Sequence, residues 1–143
     1  MENIIIRKAK SRDIDQIKQI ADNYRYELGF IPKSVLERDI QRGEIIVAEN
    51  SRIIGFVHYH HRKDDQTTLY HITVCKEYQG KKIGSILVNA LINEARKYGK
   101  SRIRLKCPID LEANKFYKKI GFQKVGIENG KKRKLVIWEF QLS

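Results

Sequence analysis

The segment 83–98 constrains the fold most. Ile83, Leu87, Ala90, Leu91, Ala95 and Tyr98 recur at helical spacing on one stripe, and Gly99 stands where a helix ends in a left-handed residue. A stripe of that length has to be buried, and the flanking runs say against what. Before it, 69–75 is apolar and β-branched; after it, Ile103 and Leu105 alternate with Arg102, Arg104 and Lys106 at the period of a strand. Strand, long helix, strand is a crossover unit, whose two strands lie parallel in one sheet.

The rest of the chain adds to that unit. A short strand is expected over 4–9, then a helix in which Ile14, Ile17, Ala21 and Tyr24 share a face behind Ser11 and Asp13. A second short helix over 34–42 stops at Gly43, and the two are joined by a connection crowded with Tyr24, Tyr26, Leu28, Phe30 and Ile31. The runs 45–48 and 53–59 read as a hairpin joined by Glu49-Asn50-Ser51-Arg52, with 69–75 as the third strand of the meander. After the crossover, 113–120 forms a helix closed by Gly121, and 122–127 with 135–140 forms a hairpin around Asn129-Gly130. The fold class is therefore α/β: a mixed sheet of six to seven strands, antiparallel early and parallel at the crossover, with about four helices. No low-complexity stretch, repeat or linker interrupts the 143 residues, so residues 1–143 read as a single domain.

Composition narrows the class of partner. Lys and Arg exceed Asp and Glu by 29 to 17, and the excess is one-sided: residues 1–72 carry 12 basic and 11 acidic residues, residues 73–143 carry 17 and 6. The second half is built to meet an anion, be it a phosphorylated cofactor, a nucleic acid or an acidic partner, unless the charge serves solubility alone. Cys75 and Cys107 are too far apart for a C-x-x-C pair and sit in apolar runs, the pattern of reduced core thiols in a cytoplasmic protein. No segment approaches the ~18 unbroken apolar residues of a membrane span.

One loop has the chemistry for the anion. Gln79-Gly80-Lys81-Lys82-Ile83-Gly84-Ser85 opens the long helix, where free backbone N–H groups and the helix dipole favour a pyrophosphate and Lys81 and Lys82 reinforce it. It has neither P-loop spacing nor the three glycines of a dinucleotide fingerprint, and read alone Gly80 equally serves to turn the chain.

Extended to Tyr78–Leu87, with Ile72-Thr73-Val74 before it, the loop resembles the acetyl-CoA loop of the GNAT superfamily of N-acetyltransferases, whose pattern is Gln or Arg, two residues, Gly, one residue, Gly or Ala. Gln79 and Gly84 match its ends, and Lys82 stands where the family has its middle glycine. The run Asp110-Leu111-Glu112-Ala113-Asn114-Lys115-Phe116-Tyr117-Lys118-Lys119-Ile120-Gly121-Phe122 resembles the family's late helix beside the cofactor thiol. The resemblance implies a GNAT-like fold in which the strands 69–75 and 102–107 splay apart to receive acetyl-CoA, with Ile72, Val74, Gln79, Gly80, Lys81, Lys82, Ile83, Gly84, Ser85, Asn114 and Tyr117 in contact with it. It implies direct attack by an amine on the thioester, a backbone N–H near Val74 for the oxyanion, and Tyr117 as proton donor to the leaving thiolate. On the residues alone Tyr117 also reads as an aromatic packed beside Phe116 and Ile120.

The base is the least defined part. Many relatives carry a Glu on the strand before the loop; here that strand offers His71, usable with its ordinary pKa of ~6.5 and equally readable as a half-exposed polar residue. Glu27, in the aromatic connection, is the ammonium partner or alternative base, and the connection itself is either a substrate wall or a plug over the sheet. His58 and His60 alternate on one strand face within reach of His71, but nothing nearby completes a ligand set, so no metal is expected. The reading is thus an acetyl-CoA-dependent N-acetyltransferase, monomer or homodimer, with its amine acceptor unidentified. A nucleic-acid binder, resting on Arg96, Lys97, Lys100, Arg102, Arg104, Lys106 and the Lys131-Lys132-Arg133-Lys134 run, and a non-catalytic acetyl-CoA sensor, resting on Lys82 and the missing carboxylate, are the competing classes.

Overall fold

A computed structural model describes residues 3–142. The chain runs through β1 (Ile5–Lys8), a 3-10 turn (Ser11–Asp13), α1 (Ile14–Asn23), α2 (Arg25–Leu28), α3 (Lys33–Gln41), β2 (Ile45–Asn50), β3 (Arg52–His61) and β4 (Gln66–Val74). A second 3-10 turn (Lys76–Tyr78) leads to α4 (Ile83–Lys97), followed by β5 (Arg102–Pro108), α5 (Ala113–Lys119), β6 (Gln123–Asn129) and β7 (Lys134–Gln141). The seven strands form one mixed sheet in the order β1-β2-β3-β4-β5-β7-β6. β1 with β2, β2 with β3, β5 with β7 and β6 with β7 pair antiparallel. β4 and β5 are parallel, Gln66 to Thr68 against Arg102 to Arg104, as the α4 crossover demands.

The chain divides into two compact units, Met1–Tyr59 with His71–Leu91 and His60–Tyr70 with Ile92–Ser143. In the first, Ile17, Ile20 and Ala21 of α1 and Leu36 and Ile40 of α3 share a core with Ile45, Val47, Ile53 and Phe56. Each such aliphatic side chain contributes about 1.5–3 kcal/mol by leaving water, which is why two short helices suffice to seal this side of the sheet. β3 also approaches the end of β4 closely: a Cβ on Gly55 would lie 2.8 Å from the Thr73 carbonyl oxygen, so only glycine fits. In the second unit Ile103, Leu105 and Cys107 point into the core at strand period, and Tyr117, Phe122 and Phe140 meet ring to ring at 5.8 and 5.3 Å.

Three local expectations need correction. Against the about four helices expected, the described residues form five, the fifth being a turn at 25–28 that was not foreseen: the Glu27 and Leu28 N–H groups both donate to the Tyr24 carbonyl, and Gly29 at φ +76° stops it. On α4 the buried stripe includes Val88 and Ile92, while Tyr98 lies beyond the helix, exposed, with its ring stacked on His61 at 4.1 Å. The last hairpin turns over 130–133, not at Asn129-Gly130; Gly130 donates its N–H to the Arg133 carbonyl, which a Cβ at Gly130 would approach to 2.5 Å. Among the described residues no helix is long and apolar enough to cross a membrane. Both cysteines are free thiols and buried.

Candidate active site

The loop between β4 and α4 is shaped by two left-handed residues, Gly80 at φ +80° and Lys82 at φ +66°. Glycine takes that conformation freely; lysine takes it at a cost of about 1–3 kcal/mol. Lys82 therefore takes a left-handed backbone of the kind glycine adopts freely, so a lysine at this position is compatible with the turn. The Ile86 N–H donates to the Lys82 carbonyl at the start of the helix, so the amides of Ile83, Gly84 and Ser85 precede that first helical donor. Gln79, Gly80, Lys81 and Lys82 are exposed, and a Cβ on Gly80 would meet nothing within 4 Å. An open turn of left-handed residues, two lysines and a 15-residue helix behind it fit a pyrophosphate. The Gln79 amide donates to the Val74 carbonyl at 2.9 Å, tying the loop to the end of β4, and the Lys81 ammonium sits 5.4 Å from the Tyr78 ring centre. Ile72 and Val74, on the last residues of β4, are half-buried.

In the other unit, α5 presents Tyr117 inward. Its side chain is buried, edge-on to Phe116 at 5.5 Å and to Phe122 at 5.8 Å. Burial, together with the nearby Cys107, pushes the phenol above its usual range, so it holds its proton and remains a donor. Burial likewise pushes the Cys107 thiol up to about 11, leaving it neutral. Asn114 is a structural clamp: its amide NH₂ donates to the carbonyls of Pro108 (2.8 Å) and Leu111 (2.9 Å), and its amide oxygen accepts from the Trp138 indole at 2.8 Å. Trp138, on β7, escaped the sequence reading because its partner lies 24 residues away and no local pattern links them.

His71 is half-buried on β4, and its ring centre lies 5.4 Å from that of His58 on β3. Burial, and then the charge of His58, lowers the His71 pKa to about 4, so the imidazole is neutral at physiological pH. His58 is itself buried, with Nε2 2.6 Å from Asp39 Oδ2 on α3. Glu27 is exposed on α2. Around it the aromatic connection divides: Tyr24, Leu28 and Ile31 pack on the core as a plug, the Tyr24 hydroxyl accepting the Lys76 N–H at 2.6 Å, whereas Tyr26 and Phe30 are exposed. No group of three or more His, Cys, Asp or Glu suited to a metal occurs among the described residues.

Part of the basic excess is internally matched. Arg104 pairs with Glu139 at 3.1 Å, Lys106 with Glu128 at 2.9 Å and Arg133 with Asp110 at 3.1 Å. Those pairs remove three of the cations on which the nucleic-acid reading stood.

A parallel strand pair is joined by a long helix that opens on a left-handed turn, and a buried tyrosine stands on the following helix. The chain matches the Acetyltransferase (GNAT) family over residues 13–122. It is 30% identical over 112 residues to the [ribosomal protein bS18]-alanine N-acetyltransferase of Haemophilus influenzae, covering 78% of this chain and 74% of that one. Among solved structures, Ard1 from Thermoplasma volcanium superimposes with a TM-score of 0.87 at 19% identity, covering 98% of both chains. The PaiA N-acetyltransferase from Thermoplasma acidophilum, in complex with coenzyme A, does so with a TM-score of 0.82 at 22% identity over 97% of this chain and 99% of that one. The chain belongs to the acetyltransferase (GNAT) family, and its activity is acetyl-CoA-dependent N-acetyl transfer.

Proposed function

We propose that residues 1–143 act as one cytoplasmic N-acetyltransferase domain in which the Gln79–Ser85 loop holds the pyrophosphate of acetyl-CoA and Tyr117 and His71 carry the proton transfers to a primary amine. The observation that supports this reading is the left-handed turn at Gly80 and Lys82 opening onto α4, a backbone that accommodates an anion despite the lysine. Acetyl-CoA supplies an activated acyl group; the chain's residues do the rest. His71, neutral, takes a proton from the acceptor's ammonium. The freed nitrogen lone pair attacks the thioester carbonyl, and a main-chain N–H near Val74 stabilises the oxygen's developing charge. As the C–S bond breaks, Tyr117 gives its proton to sulfur; the proton shed by the new amide nitrogen replaces it. Glu27 attracts the ammonium before it is deprotonated. Ile72 and Val74 offer backbone to the pantetheine arm, Lys81 and Lys82 offer charge, and Asn114 acts by fixing the start of α5.

The acceptor is a primary amine of a small molecule or a protein. The bS18-alanine N-acetyltransferase relative puts a protein N-terminus first among the amines to test. The test follows free thiol in the presence of acetyl-CoA and panels of peptides, polyamines, amino acids and aminoglycosides, and in parallel the melting temperature. Acetyl-CoA at about 100 times its dissociation constant stabilises the fold by about 2.7 kcal/mol. No rise in melting temperature with saturating acetyl-CoA overturns the assignment of the loop; a rise without thiol release on any amine favours the sensor class.

A further inference from the structure

Tyr24 lies far in sequence from the cofactor loop, yet makes a contact at its root that neither a plug nor a substrate wall requires. Its hydroxyl accepts the Lys76 N–H at 2.6 Å across 52 residues. Both ends of the contact belong to the first unit, as does the loop. The phenol is held from its own backbone: the Tyr24 N–H donates to the Ile20 carbonyl at 3.1 Å, and the Tyr24 carbonyl accepts from Glu27 and Leu28. The ring is partly buried against the core. We infer that Tyr24 is a positioning residue for acetyl-CoA, capping the turn Lys76–Tyr78 and thereby fixing the loop that begins at Gln79. This deepens the assignment of the Gln79–Ser85 loop as the pyrophosphate site and rests on it.

A helical turn leaves its first N–H groups without an acceptor of its own. At Lys76–Tyr78 those donors are taken in order. The Cys75 N–H goes to the Ile54 carbonyl on β3 at 2.8 Å and the Lys76 N–H to Tyr24, while the Tyr78 N–H returns to the Cys75 carbonyl at 2.8 Å. The first bond anchors the turn to the sheet and the second anchors it to the end of α1. The Gln79 side-chain amide then closes on the Val74 carbonyl at 2.9 Å, so the turn and the start of the loop move together. Arg52 also reaches Glu77 at 2.5 Å, but their side chains are 49% and 60% exposed, and such a pair holds little. Without the phenol the exposed Lys76 N–H turns to water, and the turn rocks about Cys75. The loop amides must then be ordered when the pyrophosphate arrives, a cost that falls on affinity. The chemical step is spared, because saturating acetyl-CoA restores the loop.

Two substitutions remove the bond from opposite sides. Tyr24→Phe deletes the hydroxyl and keeps the ring. Lys76→Pro deletes the N–H at a first-turn position, behind Cys75 at φ −54° and ψ 141°, the extended conformation that proline requires of its predecessor. In equilibrium titration Tyr24→Phe weakens acetyl-CoA binding about 3–10-fold, and KM for acetyl-CoA rises while kcat stays within about twofold. In the Lys76→Pro background Tyr24→Phe has no further effect. Hydrogen exchange of the ligand-free protein reads the bond itself: the Lys76 amide is protected in the wild type and exchanges faster in Tyr24→Phe. Unchanged affinity in Tyr24→Phe, whatever its melting temperature, overturns the proposal. So does a fall in kcat with KM untouched, or an equal effect of Tyr24→Phe in both backgrounds. If Lys76→Pro does not fold, the affinity and amide exchange of Tyr24→Phe still decide. Gly84→Asp, which puts a carboxylate in the loop, separates the underlying assignment. Unchanged affinity there removes the loop as pyrophosphate site and the role of Tyr24 with it; affinity lost there but kept in Tyr24→Phe overturns the role of Tyr24 alone.

Discussion

At the scale of single residues, the candidate site combines one side chain proposed to serve the reaction and one that fixes the start of its helix. Tyr117 is buried among Phe116 and Phe122, and burial keeps its phenol protonated. Tyr117→Phe removes one hydroxyl and preserves the ring contacts, so the variant folds, binds acetyl-CoA with nearly unchanged affinity, and loses about 10²–10⁴-fold in kcat if the hydroxyl is the acid. Pre-steady-state measurement of thiol release, which isolates the chemical step, is the check; wild-type turnover there leaves Tyr117 a packing residue. Asn114 behaves in the opposite way. Its amide closes three short hydrogen bonds, to Pro108, Leu111 and Trp138. Asn114→Ala strands a buried indole N–H and costs about 2–3 kcal/mol of stability, read as a lower urea midpoint, with an intact denaturant slope. A change of less than about 0.5 kcal/mol contradicts the clamp.

At the scale of elements, what the sequence made legible and what it hid divide along local and non-local lines. The crossover unit and the stops at Gly43, Gly99 and Gly121 were readable because periodicity and left-handed glycines are local signals, and each of these glycines has φ between +70° and +106°. The extra turn of α2 was not, since the Tyr24 to Ile31 connection has aromatics where a helical pattern would alternate; its plug forms only once the core is there to receive Tyr24 and Leu28. The loop's departure at Lys82 was visible as an oddity, while its resolution lies in the backbone: lysine adopts φ +66° and the turn is kept. That geometry has a measurable price in stability. Lys82→Gly relieves the left-handed strain, partly offset by glycine's greater freedom in the unfolded chain, for a net stabilisation of about 0.5–1 kcal/mol. Thermal unfolding of the ligand-free protein is the measure; a destabilised Lys82→Gly means that the lysine side chain contributes more than its backbone costs. The nearness of His58 to His71 followed from strand alternation, whereas the Asp39 contact to His58 was hidden for the same non-local reason, its members coming from α3 and β3.

At the scale of the whole molecule, the uneven charge and the buried histidines meet in the response to acid. The formal charge is +12 at pH 7, and every proton added below neutrality increases self-repulsion. The two histidines act in the same direction for a separate reason. Burial holds both His58 and His71 below the ordinary value of 6.5, His71 at about 4, so between those limits the unfolded chain binds protons that the folded chain refuses. Stability therefore falls as pH drops from about 6.5 toward 4, and His71 alone accounts for about 2–3 kcal/mol of the loss. The carboxylates act lower. The Arg7 guanidinium, 2.8 Å from Asp13, holds that carboxyl below its ordinary value of 3.8, so its contribution is present above that value and is lost only at more acidic pH. Urea unfolding at pH 7.5, 5.5 and 4.5 separates the two windows: most of the loss precedes pH 4.5 in the wild type, and His71→Gln loses less over the same interval. A wild-type midpoint that stays flat to pH 4.5 and collapses only below it would assign the acid sensitivity to the carboxylates, and His71 would then titrate like an exposed imidazole.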